Sequence, residues 1–577
     1  MSPLPVNLDL LRLEAESLLQ AQAIPQALER AADLVRLAPE HADSWALYGR
    51  VLWANDQPRQ AAEVLERACG LDAADVESRT SLGEISQSLG RLDEAIRWHG
   101  EALDLAPHSL VLALNHAFIW PLVADSVAQI HSCRSRCREA FEQLRSDPRL
   151  RLDSRHSALR HTAWMAYHGI NDRDWLEDYA RLVLQHLSAM APPVFGGQQH
   201  CRAPGARRLR LGFVSAFFYG HSNARAFEGL LQGLDRDRFS PVLIHLDGSR
   251  DDAVRRRLEA GVDQVVHLPA DLTLACQQLG ALQLDLLFIT DAGMHPAVPV
   301  LLAHRVAPVQ VTGWGFPVSS GFATLDYYLS GDLVEPPDGQ EHYSETLVRL
   351  SGLPCRYLAA DLIEDPVAAS MGRSYFLLPE DRLLVGCLQT VWKIHPDLDP
   401  VLERIATEVP EVCFVFVQTA HQDLHERLMA RLRRNAPTAA ERMIVLASMK
   451  RAEYTVLAGC LDLLLDTPHF GSGISFYESI HTGTPIVTIE GPYLRSRYVA
   501  AGYRLMGLDS PPVVDSAAAM AQRAVALLQD PEQRHQLRSR IREAARTHLY
   551  DRLDVVRSFE AFAVEAIERA TATGGEP

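Results

Sequence analysis

No two cysteines in the chain fall in a CxxC spacing, and the nine present (Cys69, Cys133, Cys137, Cys201, Cys276, Cys355, Cys387, Cys413, Cys460) are scattered and odd in number. That pattern excludes a disulfide framework. His131, Cys133 and Cys137 come nearest to a ligand cluster, but they lack a fourth member and do not argue for a metal. Also missing is any apolar run near the ~18 residues that span a bilayer, and the Met1-Ser-Pro-Leu-Pro start has no basic segment followed by an apolar one. The expectation is a soluble, cytoplasmic chain without a membrane span. A basic excess is absent too: 56 Lys and Arg face 73 Asp and Glu, a formal net charge of −17. Phosphate backbones and anionic membranes repel such a chain, so nucleic acid is not an expected partner.

What is present is a long chain of ordinary globular composition, 577 residues with 47% apolar and 22% charged residues. At about 150 residues per domain it should hold three or four units. A period of 34 residues marks the first of them. Ala27, Ala61 and Ala95 repeat at that spacing, as do Leu37, Leu71 and Leu105, and Gly49 with Gly83. Pro39 and Pro107 keep the register, with Ala73 in the middle slot. This length, with small residues where paired helices touch, resembles the tetratricopeptide repeat. The repeat array is read over 1–121, and residues 122–200 read as a helical connector. Such a stack offers a concave surface for protein or peptide, or braces the rest of the chain.

Around Met190 to Arg208 the composition turns to Pro and Gly without periodicity, the best linker candidate. Beyond it LRLGFVSAFF (from Leu209), PVLIHL (from Pro241), QVVHLP (from Gln264), LDLLFIT (from Leu284) and PVQVTGW (from Pro308) read as buried strands with helices between most of them. A second set comes after these in RLLVGCL (from Arg382), VCFVFVQ (from Val412), RMIVLA (from Arg442), LDLLLD (from Leu461) and PIVTIEG (from Pro485). Alternation of this kind predicts two parallel sheets covered on both faces, over 205–365 and 366–577, with an amphipathic helix at Val555–Ala570 closing the second. Ligands of such sheets sit beyond the carboxyl ends of the strands, so two facing sheets make a shared cleft.

The richest stretch runs from Leu461 to Thr488 and reads as strand, glycine loop, helix, turn, strand. Gly471, Ser472 and Gly473 allow a tight turn, and a helix starting near Ser475 would aim free amides at a phosphate. Glu478, one turn in, can accept the two hydroxyls of a ribose. Equally, Ser475 and Glu478 match a capping box that needs no ligand; both readings stand at this point. Lys393 comes just after the first strand of the same half and can stabilise charge on a departing phosphate. Gln389 beside it can bond a phosphate or a base, and Lys450 and Tyr454 can border a base through charge or stacking. In the first half His221 comes after the opening strand, as a general base, a donor to substrate or a plain loop histidine. Asp291, at the carboxyl end of LDLLFIT, is a rival base, whereas Asp285 at its entrance reads as structural. The Asp-x-Asp triplets at Asp172, Asp235 and Asp397 do not follow buried strands and do not argue for magnesium.

Together these segments resemble the O-linked N-acetylglucosamine transferase and SPINDLY family, glycosyltransferase family 41. RVAPVQVTGWGFPVSSGFATLDYYLSGD (Arg305 to Asp332) and QEHYSETLVRL resemble its strand and acceptor-side loops, VWKIHPDLDP its phosphate-lysine segment, and LDTPHFGSGISFYESIHTGTPIVT its diphosphate loop. The resemblance implies a GT-B fold behind a tetratricopeptide solenoid and an inverting, metal-independent transfer of a sugar from a nucleotide diphosphate to a hydroxyl. It implies no cofactor beyond that donor, by default UDP-GlcNAc, and a protein or peptide acceptor met through the repeat groove and cleft, with the repeats also available for self-association. Donor contacts carried over are Gln389, Lys393, Gly473, Ile474, Ser475 and Glu478, and His221 matches the family's histidine. The chain departs from animal members at Gly473-Ile474-Ser475, where they read His-Thr-Thr, and at Glu478, where they carry aspartate. A GDP-fucose or other hexose donor, a glycan acceptor, and a repeat scaffold with a degenerate transferase domain are the competing expectations.

Overall fold

The computed structural model describes residues 7–21, 23–152, 159–160, 162–187, 207–362, 371–418 and 422–573. The linker expected at 190–208 lies outside them up to residue 206, and so does the lobe boundary expected at 365/366. The chain divides into two compact units, one of 1–153 with 419–430, the other of 154–418 with 431–577.

In the first unit six helices form three antiparallel pairs: Leu8–Gln20 with Ile24–Leu37, Ala42–Ala54 with Pro58–Leu71, and Val76–Ser88 with Leu92–Leu105. The period of 34 has a steric cause. Ala27, Ala61 and Ala95 are wholly buried at helix contacts. A methyl on Gly49 would sit 2.5 Å from Leu65 Cγ, and one on Gly83 2.5 Å from the His99 ring, so both positions need glycine for close helix approach. The leucine register has a different cause: Leu37 and Leu105 are largely exposed and mark helix ends instead of core. Helices Leu110–Ala117 and Val127–Ser146 continue the stack. Residues 419–430 also belong here, with Arg59 Nε donating to Asp423 Oδ1 at 2.8 Å.

The second unit holds two all-parallel sheets. The first has seven strands: β1 Leu209–Ser215, β2 Phe239–His245, β3 Gln264–His267, β4 Leu286–Ile289, β5 Val309–Gly313, β6 Tyr327–Gly331 and β7 Thr346–Leu350, in the order 3-2-1-4-5-6-7. The second has β8 Leu383–Cys387, β9 Val412–Val417, β10 Met443–Leu446, β11 Leu463–Leu465, β12 Ile486–Ile489 and the short edge β13 Val513–Val514, in the order 10-9-8-11-12-13. Each order reverses once, between β1 and β4 and between β8 and β11. These reversals are the crevices where doubly wound sheets take ligands. Asp285 is structural as expected, accepting both guanidinium nitrogens of Arg207 (2.7 and 2.6 Å) and the amide of Arg210 (2.8 Å).

Two boundaries differ from the sequence reading. The connector is split. Val127–Ser146 stays with the repeats, whereas the turn Ala163–His168 and helix Arg173–Leu187 join the α/β unit. Ala163, Ala166 and Leu176 share a core with Phe316 and Val318, and buried Arg495 donates to the carbonyls of Ala166 (2.8 Å) and Ile170 (2.7 Å). The closing helix, Asp554–Thr573, packs on the first sheet and not the second. Phe559 lies 6.3 Å from Phe213 and 6.2 Å from Phe288, and Glu560 accepts the Asp235 amide at 2.7 Å. Its apolar stripe of Val555, Val556, Phe559, Ala563 and Ile567 is buried. Among the described residues no helix is long and apolar enough to cross a membrane.

Candidate active site

A cavity of about 510 Å³ opens where the reversal points of the two sheets face each other. The loops after β8 and β11 build one wall. Lys393 ends a short 3-10 turn, Val391–Lys393, and its Nζ donates to Gly471 O at 2.9 Å and to Gln389 Oε1 at 3.1 Å, over the Phe470 ring at 4.7 Å. Gln389 Nε2 in turn reaches Ser472 Oγ (2.9 Å) and Ser475 Oγ (3.2 Å). Underneath sits Asp466, the last residue of LDLLLD, buried and accepting from Ser472 N (2.7 Å), Ser472 Oγ (2.9 Å) and Thr488 Oγ1 (2.8 Å). Burial lowers the Lys393 ammonium to about 8, against the upward pull of the Asp466 charge. A methyl on Gly471 would meet Asp466 Oδ2 at 2.4 Å, so the carboxylate's close approach requires that glycine.

Gly471, Gly473, Ile474, Ser475 and Glu478 line the cavity, and helix Ile474–Ile480 begins within one residue of the expected start. Three details differ from the sequence reading. No capping box forms: Gly473 is the N-cap without a side-chain bond, and Glu478 instead accepts from Tyr357 OH at 3.1 Å, with Arg225 Nε 3.2 Å from the same oxygen. Ser472 does not offer its amide to the cleft, because Asp466 has taken it. Gly473 has open space where a side chain would stand, so the tight approach lies at Gly471 alone.

The opposite wall comes from the loop after β1. His221 caps helix Ser222–Gly233, its Nδ1 accepting the Asn223 amide at 3.1 Å, and stacks on Phe217 at 4.8 Å. Burial, with the charges of Arg225 and Arg250, holds its pKa down at about 4. The ring is therefore neutral near pH 7, and with Nδ1 accepting, the proton resides on Nε2. Such a histidine donates; it does not accept a proton at Nε2.

Asp291 does not serve as a cleft base. It is wholly buried and turned beneath the same loop, with Oδ2 accepting the Ala216 amide at 3.2 Å, and it is not among the cavity-lining residues. Burial pushes its carboxyl up to about 7. Lys450 is exposed and lies outside the cavity. It is the N-cap of helix Arg451–Cys460, and the chain after β10 reaches the cavity one turn further on, at Tyr454. Tyr454 does line the cavity, its hydroxyl 3.3 Å from Leu388 O and 3.2 Å from Ser479 Oγ.

Five contributors went unread in the sequence. Asp466 had a signal, a carboxylate at the exit of a buried strand. Arg225 and Arg495 had none beyond being arginines on helices. The connector turn supplies Trp164 and Tyr167, which pack with Trp392 (5.7 Å from Trp164) and Phe470 (4.6 Å from Tyr167) into an aromatic wall.

Two doubly wound parallel sheets meeting at their reversal points define the GT-B class of architecture, and this chain carries a helical repeat array as well. Comparison with known families goes further: the model described as Glycosyl transferase family 41 matches residues 142–362 and 359–556, and the chain belongs to that family. A tetratricopeptide-repeat model matches residues 42–75. Among curated relatives, the probable UDP-N-acetylglucosamine–peptide N-acetylglucosaminyltransferase SEC of Arabidopsis thaliana is 23% identical over 368 residues, 62% of this chain and 37% of that protein. The probable transferase SPINDLY of Solanum lycopersicum is 23% identical over 436 residues, 72% of this chain and 44% of its own. The chain thus spans well under half the length of these relatives. A solved variant of the O-GlcNAc transferase of Thermobaculum terrenum superposes with a TM-score of 0.72 at 22% identity, covering 98% of both chains, a likeness of fold.

Proposed function

We propose that this glycosyltransferase moves a sugar, by default N-acetylglucosamine from UDP-GlcNAc, onto a hydroxyl of a protein or peptide acceptor, with inversion and without a metal. The observation that carries the reading is the ammonium of Lys393 on the carbonyl of Gly471, at the reversal point where a doubly wound sheet takes its ligand. The donor and acceptor for which the curated relatives are named supply the defaults.

In this reading the acceptor oxygen attacks the anomeric carbon from the face opposite the nucleotide, and the bond to the β-phosphate oxygen breaks. Negative charge grows on the leaving diphosphate. Lys393 and the first amides of helix Ile474–Ile480, which lack intrahelical partners, meet it as it develops. A lysine lowered to about 8 is still mostly charged at pH 7 and already desolvated, so it needs little reorganisation to receive a phosphate oxygen. His221 presents Nε2–H and positions an oxygen by donation; the acceptor proton leaves to a phosphate oxygen or to water. Glu478 reaches a ribose by exchanging its bond to Tyr357 or Arg225.

A thermal-shift panel of UDP, GDP, UDP-GlcNAc and GDP-fucose tests the reading, since a ligand at a hundredfold its Kd stabilises by about 2.7 kcal/mol. Shifts with the UDP pair, followed by N-acetylglucosamine in the hydrolysis products by mass, are expected. Shifts with the GDP pair alone would move the donor to a fucose-type sugar, and silence toward all four contradicts the proposal.

A further inference from the structure

His469 is a non-glycine residue with φ of +69°, in the left-handed region that such residues rarely occupy. Conformations of this kind persist where surrounding contacts over-determine them, and they gather at functional sites. Here the contacts are visible. His469 Nε2 lies 2.7 Å from Asp397 Oδ2, and a methyl on Gly169 would stand 2.5 Å from His469 Nδ1, so the connector turn packs directly against the ring. The edge of His395 closes the remaining side at 4.3 Å. Asp397 is four residues after Lys393, and His469 is two residues before Gly471. The His469–Asp397 bond is therefore a second rung between the two loops already joined by Lys393 Nζ and Gly471 O at 2.9 Å.

We propose that His469 and Asp397 are positioning residues, a clip that holds the Lys393 loop and the Gly471 turn at the separation a leaving diphosphate requires. The proposal rests on the assignment of that diphosphate to this wall. When nucleotide arrives, Lys393 must exchange the Gly471 carbonyl for a phosphate oxygen, and the first rung opens. The second rung keeps the loops in register while it does. A metal is the rival occupant, because ligand atoms of His395, Asp397 and His469 lie within 4.8 Å of one another. The distances favour the clip. Two atoms on one zinc ion, each at about 2.1 Å, stand roughly 3.4 Å apart in tetrahedral geometry, whereas 2.7 Å is a hydrogen-bond length. The His395 Nδ1 lone pair is also engaged, accepting the Asp397 amide at 3.2 Å.

The test compares full-length Asp397→Ala, Asp397→Asn and His469→Gly with the parent chain in calorimetric titrations with UDP and GDP. Asn retains an acceptor for the histidine, and Gly relieves the backbone strain while deleting the bond. Asp397→Ala and His469→Gly should weaken nucleotide binding about tenfold, the weight of one hydrogen bond. Asp397→Asn should stay within about threefold, with melting temperatures unchanged. Hydrogen–deuterium exchange of residues 466–473 without ligand reads the clip independently of nucleotide, and should rise in the Ala and Gly variants only. Unchanged exchange in those variants overturns the clip even if the parent binds nothing, in which case the diphosphate assignment fails separately. Affinity losses that follow melting temperature in Ala and Asn alike would reduce the pair to a structural role and also overturn it. So would zinc binding by the parent chain that Asp397→Ala abolishes.

Discussion

The two lobes bring opposite chemistry to one cleft. The wall after β1 offers a neutral donor, His221, lowered to about 4 by burial and by the charges of Arg225 and Arg250, and keeps its carboxylate, Asp291, buried out of the cavity. The wall after β8 and β11 is a chain of polar contacts running from Asp466 through Ser472 and Gln389 to Lys393. The same strand order, with one more edge strand in the first sheet, thus supports different work. Stabilising a departing anion needs fixed charge, while orienting a neutral hydroxyl needs a donor that does not ionise. In the proposed reaction the difference assigns the leaving group to the wall of Lys393 and the acceptor hydroxyl to the wall of His221.

The sharpest way to break this contrast is at Lys393. Lys393→Ala should lower donor turnover by about 10²-fold or more, with folding retained, in a donor-sugar hydrolysis assay. His221→Ala, on the opposite wall, should cost less than that. An equal loss at both would erase the distinction between the lobes. Next in size is the Arg225–Glu478 pair, which joins them. Arg225→Ala removes the cation beside a buried carboxylate, and urea unfolding should show destabilisation of about 3 kcal/mol. The double variant Arg225→Met with Glu478→Leu should recover most of it. The smallest effect belongs to Lys450→Ala, which should leave UDP affinity within about twofold because an exposed residue beyond β10 touches nothing in the cleft.

The legibility of each part depends on where its signal resides. Buried strands announce themselves as short apolar runs, so β1, β4, β8 and β11 could be read. The rule that ligands sit beyond the carboxyl ends of such strands then located His221, Gln389, Lys393 and Gly471. The same rule misplaced Lys450, because the helix after β10 turns Tyr454 to the cavity and leaves Lys450 exposed at its start, a choice of face set by packing between distant segments. Asp291 failed for a subtler reason: it comes after the right strand but turns inward to hold the Ala216 amide. Tertiary contributions were invisible in principle. The sequence spacing of Trp164 and Tyr167 gives no hint that they pack on Trp392 and Phe470, and nothing in the run after Pro468 marks His469 as left-handed or as Asp397's partner. At Glu478, where a capping box and a ribose contact both stood open, no capping box forms and the carboxylate lines the cavity beside Arg225 of the other lobe.

Lys393 also ties the contrast to pH, with two opposite signs. Its pKa falls from the ordinary 10.5 to about 8 on folding. The unfolded chain therefore binds the extra proton between those values, and the ligand-free protein gains stability from this group as pH rises through that window. Nucleotide binding runs the other way, because the diphosphate needs the ammonium. The most direct measurement is the affinity for UDP and GDP titrated calorimetrically from about pH 6.5 to 9.5 in the parent chain and in Lys393→Ala. The account predicts flat affinity below about 8, a loss approaching tenfold per unit above it, and weak binding in the variant without that break. Equal affinity in the two proteins, or a parent profile with no break in this range, would contradict it.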